Sequence, residues 1–110
     1  MAYDEDLANR VREQLADEEP RTEKAMFGGL AFLVGGNMAV GLRGDEMMVR
    51  VGPDAGDSAA EEPHASTAIM GSRRMKGWVI VAPDGVRTDA QLRDWVRRGV
   101  AFARSLPPKA

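Results

Sequence analysis

One histidine, His64, and no cysteine are available for nucleophilic or metal chemistry in this 110-residue chain. A Ser-His-acid triad would have to use His64, which lies between Pro63 and Ala65 in a segment that reads as a loop. No Gly-x-Ser-x-Gly elbow accompanies it. Zinc sites draw several nitrogen or sulfur ligands, which this composition does not supply. Adjacent carboxylates occur at Asp17-Glu18-Glu19 and Glu61-Glu62. Both runs read as solvated faces, with nothing to raise a carboxyl toward general-acid use. No catalytic residue, metal or cofactor is therefore assigned.

Glycines cluster at Gly28-Gly29, Gly35-Gly36, Gly41 and Gly44. A phosphate cradle needs a Gly-x-x-x-x-Gly-Lys-Ser/Thr run between a strand and a helix. Here glycines alternate with apolar runs, so hairpin turns explain most of them. A site for a small molecule near Gly28-Gly29 and Trp78 stays open as an alternative. Two basic sets offer anion or nucleic-acid contact. Arg73, Arg74 and Lys76 form a compact cluster, and Arg93, Arg97 and Arg104 share one face of a C-terminal helix. Few aromatics are present for base stacking, and nucleic acid is not the favoured partner.

The elements that carry these residues read as follows. Leu7, Val11 and Leu15 recur at helical spacing, which predicts a helix from Asp4 to about Glu18, stopped by Pro20. From Leu30 the apolar period becomes two. Residues 30–34, 38–42 and 46–51 form a predicted antiparallel meander, with turns at Gly35-Gly36-Asn37 and Arg43-Gly44-Asp45. A short helix is expected within 54–62, then strands at 67–70 and 77–81. Thr88 and Gln91 read as a capping box opening a final helix, with Leu92, Trp95, Val96, Gly99, Ala103 and Leu106 on one stripe. The expected class is α+β, a two-layer α-β(3)-α-β(2)-α domain over residues 1–110 with helices packed on an antiparallel sheet.

Charge is uneven although the net value is only −2. Residues 1–23 hold eight acids and three arginines, whereas residues 87–110 hold six bases and two acids. Two terminal elements that lie together and attract account for this. The acidic start Tyr3-Asp4-Glu5-Asp6 is unlike a signal peptide, and no apolar run is long enough to span a membrane. A cytoplasmic location with no membrane partner is expected. Met48 shares a strand face with Arg50, so this pair is a candidate protein-partner surface.

Met26-Phe27-Gly28-Gly29-Leu30, the Gly35-Gly36-Asn37 turn, Lys76-Gly77-Trp78 and the terminal Phe102-Ala103-Arg104-Ser105-Leu106-Pro107 resemble the TfoX N-terminal domain of the TfoX/Sxy family. The resemblance covers nearly the whole chain. It implies a secretion-chaperone-like fold, a bacterial source and a regulatory context linked to competence genes, without established catalytic residues. It also implies a stand-alone form, since the family's second, helical domain would follow Pro107-Pro108. The family pattern Gly-Arg-Pro-Met-Lys-Gly-Trp appears here as Ser72-Arg73-Arg74-Met75-Lys76-Gly77-Trp78. Phe27 and Trp78 are expected to fill the core, with the neighbouring glycines permitting close backbone approach. A regulatory protein partner or a homodimer is the expected mode of action.

Overall fold

The computed structural model describes residues 3–26, 28–70 and 72–108. Helix α1 spans Glu5–Gln14, followed by strands β1 (Arg21–Met26), β2 (Gly29–Val34), β3 (Asn37–Arg43) and β4 (Glu46–Arg50). Then come α2 (Gly56–Ala60), β5 (Ala65–Met70), β6 (Arg73–Val81), a 3-10 turn at Pro83–Gly85 and α3 (Asp89–Ser105). All strand pairs are antiparallel, in the order β1-β2-β3-β4-β6-β5.

The α+β class and the helices-on-sheet layering are as the sequence predicts, but the first block holds four strands, giving α-β(4)-α-β(2)-α. The added strand, β1, reads Arg-Thr-Glu-Lys-Ala-Met. It is an edge strand exposed almost throughout, so burial imposes no apolar alternation on it. Helix α1 closes at Gln14, well short of Glu18. The Asp4 carboxylate caps it, accepting from the backbone N–H groups of Asp6 and Leu7. Strand β6 is longer than expected and begins at Arg73.

One core joins the helices to a single sheet face. Leu7 and Val11 from α1, Leu15 just after it, Ala59 from α2, and Leu92, Trp95, Val96 and Ala103 from α3 pack on Phe32, Val40, Met47, Val49, Val79 and Val81. Helix α3 crosses β2 to β4, while α2 rests against β5 and β6. The Thr88–Gln91 capping box forms on both sides. By strand alternation, Leu33, Met38, Met48, Trp78 and Ile80 point to the opposite face, which carries none of the described helices. The charge asymmetry resolves into contact between the termini. Arg104 pairs with Glu18 at 2.7 Å, and Arg10 reaches Asp89 at 3.4 Å.

The two glycine motifs hold different places. Phe27 lies outside the described residues. Gly28 sits in the β1–β2 turn at φ +71°. A Cβ on Gly29 would stand 1.9 Å from the Leu42 carbonyl oxygen, so close approach is real there, but the neighbour is β3. Trp78 lies on β6, with β3 and β4 between it and β2, and is paired with Arg50 near the other end of the strands. It is half-buried on the face without helices, and does not belong to the core as expected.

Candidate functional site

The second motif builds a cleft. Thr67 pairs with Val79 and Ile69 with Arg74. Between these pairs β5 supplies only Ala68, whereas β6 supplies Met75, Lys76, Gly77 and Trp78. The surplus bulges out of the ladder. Gly77 turns this bulge at φ +86°, a region that disfavours other residues. Its carbonyl accepts the N–H groups of Val51 at 2.9 Å and Gly52 at 3.0 Å. A Cβ on Gly77 would lie 2.9 Å from the Gly52 carbonyl carbon, and one on Gly56 would lie 3.2 Å from the Gly77 Cα. Three glycines thus let β6, the end of β4 and α2 meet backbone to backbone.

The bulge walls a cleft of about 340 Å³ with Thr67, Arg74, Met75, Lys76 and Trp78, closed on the other side by Pro53, Gly56 and Asp57. Arg74 donates to the Asp57 carboxylate at 2.5 Å, so one cation of the cleft is neutralised. Lys76 and Arg73 are exposed and, among the described residues, form no ion pair. Asp57, Gly52 and Gly56 were not singled out by sequence. They sit in a stretch without apolar period, and only contact with β6 gives them a role.

The other basic set belongs elsewhere. Arg104 is held on the α1 side of α3, donating to Glu18 and to the Glu19 carbonyl. Arg93 and Arg97 are exposed on the same stripe. Arg98, more than 90° around the helix from all three at about 100° per residue, points to α2. The anion footprint suggested by Arg73, Arg74, Lys76, Arg93, Arg97 and Arg104 therefore divides into two separate sets. An alternative site joining Gly28-Gly29 to Trp78 is likewise not formed, because β3 and β4 intervene.

The Met48/Arg50 surface also takes a different form. Met48 does share the face of Arg50, but it is only 6% exposed. Its cross-strand neighbours are Gly41 and Ile80, and a Cβ built at position 41 would meet the Met48 Cβ at 4.0 Å, an ordinary contact. The Arg50 guanidinium lies 5.9 Å from the Trp78 ring and 5.3 Å from the Phe102 ring. It ties the sheet to the end of α3 by cation–π contact. What stays accessible on this face is Leu33, Met38, Trp78 and Ile80, all half-buried, with Lys24 exposed beside them. A groove of about 750 Å³ runs there along Thr22, Lys24, Leu33, Met38 and Arg50.

Among the described residues two carboxylates have shifted pKa values, and both shifts are downward. Arg98 forks onto Glu62 at 2.5 and 2.9 Å, and these hydrogen bonds hold the carboxyl below its ordinary range against a smaller effect of burial. Arg12 does the same to Glu23 at 2.7 and 2.8 Å. General-acid chemistry would call for a raised value. His64 is exposed at φ +68°, and its carbonyl accepts the Ala82 N–H in the β5–β6 ladder.

Among known proteins, the family model of the TfoX N-terminal domain matches residues 13–103, most of the 110-residue chain. No curated protein and no solved structure matches it. No helix among the described residues is long and apolar enough to cross a membrane.

Proposed function

Since the chain belongs to the TfoX N-terminal domain family, we propose that it is a non-enzymatic cytoplasmic module with a regulatory role, acting by binding another protein through the open face of its sheet. The observation that carries this reading is the one-sided packing. Every core helix residue lies on one face, while Leu33, Met38, Trp78 and Ile80 remain half-exposed on the other. Large apolar side chains gathered on an uncovered face mark an interaction surface more often than a solvated one. A Met38→Glu/Ile80→Glu variant tests the idea by co-purification from cell lysate, with circular dichroism to confirm the fold. The expected result is a protein captured by the wild type and lost with the variant. Identical capture by both would overturn the assignment.

A second reading, binding of a small anion or nucleic acid at the β6 cleft, rests on Lys76 beside Arg74 and the Trp78 ring. Electrostatic binding of this kind weakens steeply with salt. It predicts Trp78 fluorescence changes with inorganic phosphate, or mobility shifts of generic DNA or RNA at low salt. Silence in both assays at low salt removes it.

A further inference from the structure

The two faces of the sheet differ in how their charges are matched. On the helix side, Glu23 of β1 meets Arg12 of α1, and Arg21 meets Glu19 just after it. Strands β1 to β4 also send three cations to the open face. Lys24 stands opposite Ala31 and Arg43 opposite Glu46, while Arg50 is paired with Trp78. Among the described residues none of the three forms an ion pair. Glu46 is the one acid that these strands place there. The face is thus left positive on a chain whose net charge is −2. The Trp78 and Phe102 rings hold the Arg50 guanidinium at 5.9 and 5.3 Å, contacts that leave its charge in place.

Beside these cations lie Leu33, Met38, Trp78 and Ile80, each half-buried. From β2 to β6 they cross three strand spacings, about 14 Å at roughly 4.8 Å per strand. That is room for one helix of about 10–12 Å diameter. No main chain is offered with them, because β2, β3, β4 and β6 are each paired on both sides. An extended segment laid on this face would leave its own amides unpaired, whereas a helix satisfies them internally. Helices are also what the opposite face of the same sheet already holds.

Building on the open-face reading above, we propose that the occupant is an acidic amphipathic helix of another protein. Its apolar stripe lies over Leu33, Met38, Trp78 and Ile80, and its flanking carboxylates meet Lys24, Arg43 and Arg50. The charge argues against a second copy, since two open faces brought together would set like charges against each other. The chain's own acidic helix, α1, is not available either, because Leu7 and Val11 are buried in the core. A nucleic-acid backbone would answer the cations but not the apolar floor. A lipid surface calls for apolar side chains that protrude, and these four are half-buried along a groove.

The test is a benzophenone photo-cross-linker placed at Thr22, an exposed position on the groove, in the otherwise unaltered full chain. After irradiation in cell lysate, mass spectrometry identifies the attached peptide. The expected peptide has apolar residues at i, i+3, i+4 and i+7 with glutamate or aspartate beside them. The same segment, synthesised, binds the wild-type chain in a fluorescence anisotropy titration, more weakly as salt rises. Lys24→Glu/Arg43→Glu, checked for a native fold by circular dichroism, weakens that binding about tenfold. Replacing the peptide's acids by their amides weakens it in the same way. An attached protein segment that is neutral, basic or without helical period would overturn the acidic helix and leave the open-face reading standing. Affinity indifferent to salt and to both sets of substitutions would do the same. No attachment, or attachment only to lipid, nucleic acid or a second copy of this chain, would overturn both.

Discussion

Gly77 does for the β6 bulge what no other residue type does as cheaply. Its φ of +86° and its 2.9 Å clearance from the Gly52 backbone exclude a side chain on two separate grounds. Backbone strain of this kind costs about 1–3 kcal/mol, and the neighbouring atoms are main chain that cannot rotate aside. Gly77→Ala is therefore expected to lower the free energy of unfolding by about 2 kcal/mol or more, read from the urea midpoint. An unchanged midpoint would mean that the bulge repacks without loss. Lys76, by contrast, is free to move, and Lys76→Ala should leave the midpoint within about 0.5 kcal/mol of wild type. Met48 teaches a similar lesson in reverse. Alternation assigns its face correctly from sequence, but its burial is decided by the strands on either side, β3 and β6.

Between elements, two arginine forks attach helices to neighbouring segments. Arg98 reaches from α3 to Glu62 after α2, with its guanidinium 4.3 Å from the Trp95 ring. Arg12 reaches from α1 to Glu23 on β1. Each glutamate is held below its ordinary value of 4.5 by its guanidinium partner. Folding thus favours the deprotonated carboxylates. Their contribution is complete above about pH 4.5 and disappears as the pH falls through the lowered folded values. Urea unfolding at pH 7 and at pH 3 should show wild type losing more stability than Glu23→Gln/Glu62→Gln. At pH 7 the double variant should cost only about 0.4–2 kcal/mol, because both pairs are partly solvated. Equal acid sensitivity of the two proteins would count against this account. The apolar stripes of α1 and α3 were legible because burial acts on one helix face at a fixed period. Strand β1 was not, since an exposed edge is under no such constraint.

Across the whole molecule, function turns on how the sheet is covered. The three described helices close one face, leaving Leu33, Met38, Trp78 and Ile80 half-exposed on the other and an uncharged strand, β5, at one edge. The family motifs were readable as residues, yet their roles diverged. Gly29 accommodates β3, and Gly77 shapes a cleft with Gly52, Gly56 and Asp57. Of the candidate site, Arg74, Lys76 and Trp78 stood out in the sequence and do meet in that cleft. Arg93, Arg97 and Arg104 stood out equally but belong to another side of α3. Local signals carry what depends on neighbours in the chain: helix period, the capping box at Thr88, hairpin turns and the α+β class. These follow from interactions spanning a few residues, which a linear text preserves. The insertion of β6 between β4 and β5, the pairing of Arg74 with Asp57, and the choice of which strand stays unpaired depend on residues far apart in sequence. Only the packed chain sets those distances, and with them which polar and apolar groups remain accessible.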